Sequence, residues 1–273
     1  MMKGVLIYNR ADALKNEWFI GHLMESADIC GIRLELLIHD EQVTNPQRLP
    51  AHCDFCINRT RHFEVSLQYE KQGVRCYNPS STVKAANDKW LTYQSCRNLG
   101  IEVMPTVRMD GSHTPPYEYP FIIKARNGHG GSEVFWIKNE KELQAFSFRN
   151  PGGYIAQEPA SNLGLDVRIY VLGGRPLIGV KRTSSVDFRS NYSLGGSVEL
   201  FSPTKEQVLA IETITSRFPL DYAGVDFLLH NGTWVLNEIE DAVGSRMLYS
   251  LWERDIGMEW IAYILQHSAS GIL

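Results

Sequence analysis

The sequence predicts a mixed α/β protein in which a parallel α/β segment precedes two α+β segments. In roughly the first ninety residues, short apolar runs alternate with stretches of helical spacing, which favours a parallel sheet with helical crossovers. From Pro120 onward, apolar runs are joined by short turns rich in glycine, as in antiparallel hairpins. Hydrophobic residues make up 44% of the chain and charged residues 21%, so disordered, collagen-like and coiled-coil proteins are excluded.

The elements of the first segment follow from apolar spacing and from glycine at helix ends. Strands are predicted at 4–8, 32–38 and 54–58, and helices at 12–30 and 62–71, the second ending before Gly73. A turn at Asn78-Pro79-Ser80-Ser81 precedes a helix over 86–98 that ends before Gly100. We therefore expect a boundary near residue 85.

The remaining elements divide at about residue 160. Strands at 121–124, 134–137 and 154–157 with a helix at 140–147 form one α+β unit. Strands at 167–172, 176–180, 224–229 and 234–239 and helices at 204–217 and 249–266 form another. The predicted organisation is an α/β domain at 1–85, a central lobe at 86–160 and a C-terminal lobe at 161–273.

Charge, hydropathy and cysteine number limit the classes of function. A net charge of −4 gives no overall basic field, so we expect no nucleic acid or membrane partner. No apolar run approaches the ~18 residues of a membrane span, and the N-terminus is typical of a first strand rather than a signal peptide. Five cysteines favour reduced thiols in the cytoplasm. Cys53 and Cys56 form a C-x-x-C motif. We expect them to be half-buried thiols on a strand rather than a zinc or redox site.

A glycine-rich loop, Gly128-His129-Gly130-Gly131, lies between two predicted strands. It matches neither a P-loop nor a dinucleotide fingerprint, because both of those lead into a helix. A glycine hairpin can still wrap phosphates with its backbone N–H groups, and Lys124 on the preceding strand can reach anions held beneath it. An ordinary turn and a solvated lysine are the alternatives.

Three carboxylates stand on the last predicted strand pair. Alternation places Glu238 and Glu240 on one strand face, where two like charges need a cation, and Asp226 lies on the partner strand. Such oxygen ligands suit Mg²⁺. A three-residue loop would pair Asp226 with Glu238, as the metal interpretation prefers, whereas a two-residue Asn231-Gly232 turn would pair Asp226 with Asn237. Ion pairing with Arg246 or Arg254 is the alternative.

Basic and amide side chains follow between these motifs. Asp166, Arg168 and Tyr170 share a strand face, Lys181-Arg182 closes the next strand, and Asp187-Phe188-Arg189-Ser190-Asn191 begins a polar loop. A site that binds phosphate and carboxylate would use such groups. Scattered surface charge is the alternative for any one of them.

In order along residues 78–250, these motifs resemble the ATP-grasp fold. The likeness is greatest to the RimK-like branch, which contains the ribosomal-protein glutamate ligase and the amino-carrier-protein ligases of lysine biosynthesis. The matching runs are Asp88-Lys89, Pro120-Phe121-Ile122-Ile123-Lys124, the glycine loop, Gln157-Glu158, Asp166-Val167-Arg168, Arg182, Phe188-Arg189-Ser190-Asn191, Gly195-Gly196, Gly224-Val225-Asp226 and Glu238-Ile239-Glu240.

The resemblance implies a pre-ATP-grasp domain followed by two α+β lobes that sandwich ATP, and it assigns roles. The implied ATP-binding residues are Lys89, Lys124, Gly128, His129, Gly130, Gly131, Gln157, Glu158, Pro159, Ala160, Asp166, Arg168 and Ser190. The implied catalytic residues are Arg182, Arg189 and Asn191, and the implied metal ligands are Asp226, Glu238 and Glu240, for two Mg²⁺ with Mn²⁺ as an alternative. The chain departs from the family pattern at Glu240, where asparagine is common, and in the loop, where relatives often have Gly-Ser-x-Gly; His129 is either an extra phosphate donor or merely tolerated there.

These observations together predict an ATP-dependent carboxylate–amine ligase that works through an acyl phosphate and releases ADP and phosphate. No Ser/His/Asp or Cys/His set is evident, which agrees with a reaction that needs positioning and charge neutralisation. The acid and amine are left open among small molecules, amino acids and peptides, with a carrier protein as a candidate partner and a homodimer as a family expectation. A non-catalytic ATP-binding module is the alternative, and a dinucleotide-dependent dehydrogenase is a weaker one because Asn9-Arg10 follows the first strand.

Overall fold

The structure, a computed structural model, describes residues 1–39, 53–111, 113–131, 133–149, 152–184 and 196–269. Three β-sheets are present in this part of the chain, and each lies within one of the three predicted segments. The first sheet is parallel and the other two are antiparallel, as the sequence predicts. The boundaries at 85 and 160 stay a prediction.

The first sheet has the strand order β2-β1-β3-β4. Its strands are β1 (Met2–Asn9), β2 (Ile32–His39), β3 (Phe55–Asn58) and β4 (Arg75–Tyr77). Strand β4 was not predicted, because three residues are too few to show a pattern. The helices of this segment are α1 (Arg10–Lys15), α2 (Glu17–Ile29) and α3 (Phe63–Glu70). The single helix predicted at 12–30 is wrong, because Asn16 has non-helical backbone angles and divides the segment into α1 and α2. The side chain of Asn16 donates to the carbonyl of Asp12.

Two helices lead into the second sheet. They are α4 (Ser80–Ala86), which begins inside the predicted turn, and α5 (Lys89–Asn98). The carboxylate of Asp88 caps α5 by accepting from the backbone N–H groups of Trp90 and Leu91, so α5 begins at Lys89 rather than at residue 86. This cap determines where the ammonium group of Lys89 can reach.

The second sheet has the order β5-β8-β6-β7. Its elements are β5 (Thr106–Met109), β6 (Phe121–Ala125), β7 (Val134–Ile137), α6 (Glu140–Ala145) and β8 (Tyr154–Gln157). Strands β6 and β7 are antiparallel and adjacent, which confirms the predicted glycine hairpin between them. Strand β5 was not predicted.

The third sheet has the order β11-β10-β9-β12-β13. Its elements are β9 (Leu165–Leu172), β10 (Arg175–Thr183), β11 (Ser197–Phe201), α7 (Lys205–Arg217), β12 (Tyr222–His230) and β13 (Thr233–Glu240), followed by α8 (Arg246–Leu251) and α9 (Ile256–Ala269). The single helix predicted at 249–266 is wrong, because α8 ends at Leu251 and the carboxylate of Asp255 accepts from the N–H of Met258 at the start of α9.

The hydrophobic core joins the first and third segments. Leu6, Phe19 and Ile32 from the first segment pack in one buried cluster with Tyr222 and Trp260 from the third. The second sheet has a separate core, which includes Phe121, Ile123 and Tyr154. The first sheet and the C-terminal lobe are therefore packed as one body, with the second sheet standing beside them.

Candidate active site

A cleft that is open in part to solvent lies between the second and third sheets. It brings together most of the side chains that sequence analysis selected. The predicted residues that line it are Lys89, Lys124, Gly128, Gly130, Gly131, Ala160, Asp166, Arg182, Asp226 and Glu238. The described residues of the site therefore converge from six elements that are distant in sequence.

Lys89 connects the glycine hairpin to the acidic strand. Its Nζ donates to the carbonyl oxygen of Gly128 at 2.7 Å and lies 3.1 Å from Oε2 of Glu238. Burial alone would raise the pKa of Glu238, but Lys89 and Lys124 outweigh it and lower that pKa. One ammonium group thus links the hairpin loop to a carboxylate across the cleft.

Lys124 is a buried cation at the end of β6, only 9% exposed. Its Nζ donates to Oε1 of Gln157 at 2.5 Å and to Oδ1 of Asn237 at 3.1 Å. No carboxylate in the described ranges forms an ion pair with it. Burial therefore dominates and lowers the pKa of Lys124 to about 8. An anionic ligand in the cleft would supply the missing negative charge.

Gln157 supports this lysine. Its amide Nε2 donates to Oγ1 of Thr106 at 3.0 Å, and that hydroxyl donates to the carbonyl of Met104. The chain of hydrogen bonds fixes which end of the Gln157 amide faces Lys124. Gln157 thus acts on Lys124 through its side chain in this structure.

An arginine–carboxylate network lies opposite the lysines. Arg168 donates twice to Asp226, from Nε and from a terminal nitrogen, both at 2.7 Å, and it also pairs with Glu240. Arg182 binds both oxygens of Asp166, at 2.5 and 2.7 Å, and reaches Asp226 at 2.8 Å. Burial would raise the pKa of Asp226, but the two guanidinium groups outweigh it and hold that pKa well below its usual range.

Strands β12 and β13 pair Asp226 with Glu238, as predicted, but the turn that joins them is shorter than predicted. The turn is the two-residue Asn231-Gly232, so the three-residue loop favoured by the metal interpretation is wrong. A β-bulge then shifts the register, so that Phe227 pairs with Leu236 but Asp226 pairs with Glu238. Asn237 is the extra residue of the bulge, and its amide oxygen reaches Lys124 for that reason.

The three predicted metal ligands are only partly suited to a cation in this arrangement. Within the described ranges, no group of three or more His, Cys, Asp or Glu side chains is placed to hold a metal ion. Asp226 and Glu240 form ion pairs with arginines, but these are Arg168 and Arg182 and not Arg246 or Arg254, which the ion-pair alternative named. Glu238 faces the cleft opposite Asp226. This pair matches Mg²⁺ sites that use one or two carboxylates and complete the coordination with phosphate oxygens.

The remaining predicted residues lie on the hairpin, between β8 and β9, or outside the described residues. Glu158, Pro159 and Ala160 lie between β8 and β9, where the chain passes from the second sheet to the third. His129 is exposed on the hairpin, and partial desolvation with the nearby charges of Arg61 and Lys89 lowers its pKa to about 4, so the ring is neutral at pH 7. Arg189, Ser190 and Asn191 lie outside the described residues, and their roles stay predictions.

Several residues that shape the site were not predicted. Asn237 was named only as a register partner, although its amide contacts Lys124. Arg126 was not selected, yet it binds the carboxylate of Asp88, which caps the helix that carries Lys89. Arg59 is buried and donates to the backbone carbonyl of Val243, after the acidic strand. A basic run, Arg59-Thr60-Arg61, directly after a strand was the available signal.

The cysteines lie away from this cleft. All five are free thiols, and Cys56 is buried on β3 beside Cys76 on β4. Burial raises the pKa of Cys56 well above its ordinary value and that of Cys53 to about 11. The thiols of Cys53 and Cys56 are therefore protonated at neutral pH. None of the described helices combines the length and the apolar character needed to cross a bilayer.

The parallel sheet, the two antiparallel sheets and the cleft between them define an ATP-grasp fold. Residues 101–264 match the family model of the RimK-like ATP-grasp domain. The chain therefore belongs to the RimK-like ATP-grasp family.

Two relatives and one solved structure illustrate this membership. The "Uncharacterized protein MG011 homolog" of Mycoplasma pneumoniae is 29% identical over 248 residues, which cover 90% of this chain and 86% of that protein. The "Probable alpha-L-glutamate ligase" of Histophilus somni is 27% identical over 212 residues, covering 73% of this chain and 70% of that protein. The D-alanine–D-alanine ligase of Bacillus anthracis complexed with ATP shares the fold, with a TM-score of 0.74, 13% identity and coverage of 99% and 98%.

Proposed function

We propose that this chain is an ATP-dependent carboxylate–amine ligase that forms an amide bond through an acyl phosphate. The observation that carries the proposal is the cleft in which two lysines beneath a glycine hairpin face carboxylates held by two buried arginines. Membership of a family with a named glutamate ligase supports the same reaction class. Cationic groups on one wall suit the phosphates of a nucleoside triphosphate, and carboxylates on the other wall suit its metal ion.

Lys124 and Lys89 are the proposed phosphate-binding groups. Lys124 is buried and lacks a carboxylate partner among the described residues, so phosphate oxygens would replace neutral amide acceptors with charge-assisted bonds. Because Lys89 donates to the carbonyl oxygen of Gly128, a movement of Lys89 toward bound phosphates would also move the hairpin. The glycines of the hairpin let its backbone approach an anion closely.

Asp226 and Glu238 are the proposed Mg²⁺ ligands, with Glu240 on the same strand face as Glu238. Bound magnesium would neutralise charge on the phosphate oxygens. For Asp226 to contribute an oxygen, one of its hydrogen bonds from Arg168 or Arg182 has to lengthen. The arginines would then be directed at the transferred phosphoryl group, which agrees with the catalytic role expected for Arg182.

The proposed reaction has two steps. A carboxylate oxygen of the acid substrate attacks the γ-phosphorus, the bond to the bridging oxygen breaks, and ADP leaves. The amine then attacks the acyl carbon, phosphate leaves with the carbonyl–oxygen bond electrons, and the amine loses one proton. Both steps depend on positioning and charge neutralisation, which the lysines and arginines of this cleft provide.

L-Glutamate is the first amine to test, because a relative that covers 73% of this chain is named a probable glutamate ligase. The assay measures ADP release from purified protein with ATP, Mg²⁺, L-glutamate and a panel of carboxylic acids, each component being omitted in turn. A ligase releases ADP only when both acid and amine are present. ATP binding without any ADP release favours the non-catalytic module, whereas ADP release that is independent of both acid and amine is ATP hydrolysis and contradicts the ligase.

Glu238→Gln is the site variant that tests the metal role. It removes the charge that faces Lys89 and the cleft while keeping the side-chain size. We expect turnover to be abolished and the Mg²⁺ dependence of nucleotide binding to weaken. Unchanged ADP release in this variant contradicts the assignment. Glu199→Gln, on an exposed carboxylate paired with Lys181, is the matched control.

A further inference from the structure

Arg126 begins the glycine hairpin, directly after strand β6, but its side chain does not face the cleft. The cleft is lined by Lys89 and Gly128, and neither Arg126 nor Asp88 is among the described residues that line it. These two residues line a separate depression beside the base of the hairpin, together with Tyr154. Arg126 is therefore not placed to touch a nucleotide bound in the cleft.

The side chain of Arg126 binds one carboxylate and one backbone carbonyl. Its Nε donates to Oδ1 of Asp88 at 3.0 Å, and one terminal nitrogen donates to Oδ2 of the same carboxylate. The other terminal nitrogen donates to the carbonyl oxygen of Gly152 at 3.1 Å, in the turn before β8. The pair is partly buried, with 23% of the Arg126 side chain and 21% of the Asp88 side chain exposed. Bidentate pairs of this kind are strong and geometrically specific.

The backbone of Arg126 makes two further hydrogen bonds. Its N–H donates to the carbonyl oxygen of Gly153 at 2.9 Å, and its own carbonyl oxygen accepts from the backbone N–H of Lys89 at 3.0 Å. The ammonium group of Lys89 donates to the carbonyl oxygen of Gly128. Both the backbone and the side chain of Lys89 are therefore held by the hairpin.

Asp88 connects Arg126 to the start of α5. Its carboxylate accepts from the backbone N–H groups of Trp90 and Leu91 as well as from Arg126. Because Lys89 is the first residue of α5, the position of this helix end determines where its ammonium group can lie. The Asp88–Arg126 pair thus fixes the helix that carries Lys89 to the base of the hairpin that Lys89 contacts.

We propose that Arg126 is a positioning residue for phosphate binding, which acts through Asp88 to hold Lys89 at the cleft. The inference rests on the proposed function, in which Lys89 binds phosphate, and it adds a residue outside the cleft on which nucleotide affinity depends. A side chain that is already held in its binding orientation loses less conformational entropy when the ligand binds. Without the guanidinium of Arg126, more of the order of Lys89 would have to come from the nucleotide, which weakens binding.

The first test compares Arg126→Gln with Asp88→Asn. Calorimetry measures the dissociation constant of a non-hydrolysable ATP analogue with Mg²⁺. Asparagine also caps helices, so Asp88→Asn should keep the start of α5 in place. We expect each variant to weaken binding about tenfold. A long-range effect of charge would instead change the affinity in opposite directions, because one variant removes a cation and the other an anion. Tighter binding by Asp88→Asn therefore overturns the proposal.

The second test repeats the measurement in a Lys89→Met background. If Arg126 acts through Lys89, Arg126→Gln should change the affinity there by less than about twofold. An equal loss in both backgrounds overturns the proposal, since it indicates a general disturbance of the second sheet. Arg126→Lys is measured in the same two backgrounds, so the test stands even if Arg126→Gln does not fold. We expect it to keep part of the affinity, because an ammonium group can still pair with Asp88 but lacks the planar fork.

Arg254→Gln is the matched control. Nε and a terminal nitrogen of Arg254 each donate to the carboxylate of Glu259 at 2.6 Å, near the start of α9, and we expect nucleotide affinity to be unchanged. The ligase proposal is tested separately, by ADP release. If the analogue binds Arg126→Gln as tightly as it binds the wild-type protein, the role of Arg126 is wrong and the ligase is unaffected. If binding depends on Arg126 and ADP is never released, the ligase is wrong and the role of Arg126 stands.

Discussion

The two walls of the cleft differ in whether their buried charges are neutralised by charged partners. On the second sheet, Lys124 is buried against the neutral amides of Gln157 and Asn237. On the third sheet, Arg168 and Arg182 are paired with Asp226, Asp166 and Glu240. The charge of Lys124 on the first wall can be neutralised by an anionic ligand. The arginines and carboxylates of the second wall neutralise one another and maintain their own geometry. The difference indicates which residues govern ligand affinity and which govern stability.

The largest expected effect comes from breaking the satisfied wall. Asp226→Asn removes the carboxylate charge shared by Arg168 and Arg182 and leaves two buried guanidinium groups with less compensation. We expect a loss of about 3 to 5 kcal/mol in the free energy of unfolding, together with loss of turnover. Denaturant unfolding and ADP release measure the two effects. Wild-type stability in Asp226→Asn would contradict the contrast between the walls.

A smaller effect, of a different kind, is expected on the lysine wall. Lys124→Met leaves an unbranched side chain one atom shorter and removes a charge that has no carboxylate partner among the described residues. We expect the nucleotide dissociation constant to rise by about 10- to 100-fold, because charge-assisted bonds to phosphate are lost. The free energy of unfolding should change little. Titration with a fluorescent ATP analogue and denaturant unfolding check both parts, and strong destabilisation without weaker binding would assign Lys124 to the framework.

The pH dependence sharpens the same comparison. The pKa of Lys124 is about 8 in the folded protein, against ~10.4 for an unfolded lysine. Between these values the unfolded state binds more protons, so this group makes stability rise with pH from about 8 to 10.4. The gain relative to Lys124→Met should reach at most about 3 kcal/mol. Unfolding of both proteins at pH 7 and pH 10 measures it, and an equal change in the two proteins contradicts the lowered pKa.

The same lysine predicts proton uptake on nucleotide binding. Phosphate oxygens favour the charged ammonium and should raise the pKa of Lys124, so binding above pH 8 takes up a proton and weakens as the pH rises. Calorimetry in buffers of different ionisation enthalpy measures this uptake. Lys124→Met should show less of it, and equal uptake in both proteins would assign the proton to another group.

The smallest effect is expected at the surface. Lys181 and Glu199 form an exposed pair at 2.6 Å on neighbouring strands β10 and β11. Lys181→Ala should change the free energy of unfolding by no more than about 1 kcal/mol and leave nucleotide affinity unchanged. Denaturant unfolding at low and high salt measures it. An effect as large as that of Asp226→Asn would show that exposed and buried ion pairs do not differ in their contribution to stability.

Much of the fold could be predicted from local pattern, and the failures have local causes. The strand at 154–157 and the hairpin around Gly128 match because alternation and turn residues are read within a few positions. The helices predicted at 12–30 and 249–266 failed because each is apolar with helical spacing on both sides of its break. A capping side chain, not the periodicity, decides where such helices divide.

The site was predictable in its residue types but not in its pairings. Asp226 and Arg168 were predicted separately, Asp226 as a metal ligand and Arg168 as an ATP-binding residue. Their bidentate contact was missed because the two residues are 58 positions apart and meet only through the order of strands β9 and β12. Asn237 was missed for a similar reason, since the bulge that presents it leaves no mark in a pattern of alternating residues.

The sequence by itself determined the class of fold, the ordered motifs of the family and the position of Lys124 on the strand that enters a glycine hairpin. These features depend on neighbours within a few residues, where spacing specifies which face a side chain occupies. Only the tertiary structure decided which charges neutralise one another and how Asp226 comes to face Glu238. Such outcomes depend on strand order, register and burial, which arise from contacts between distant segments.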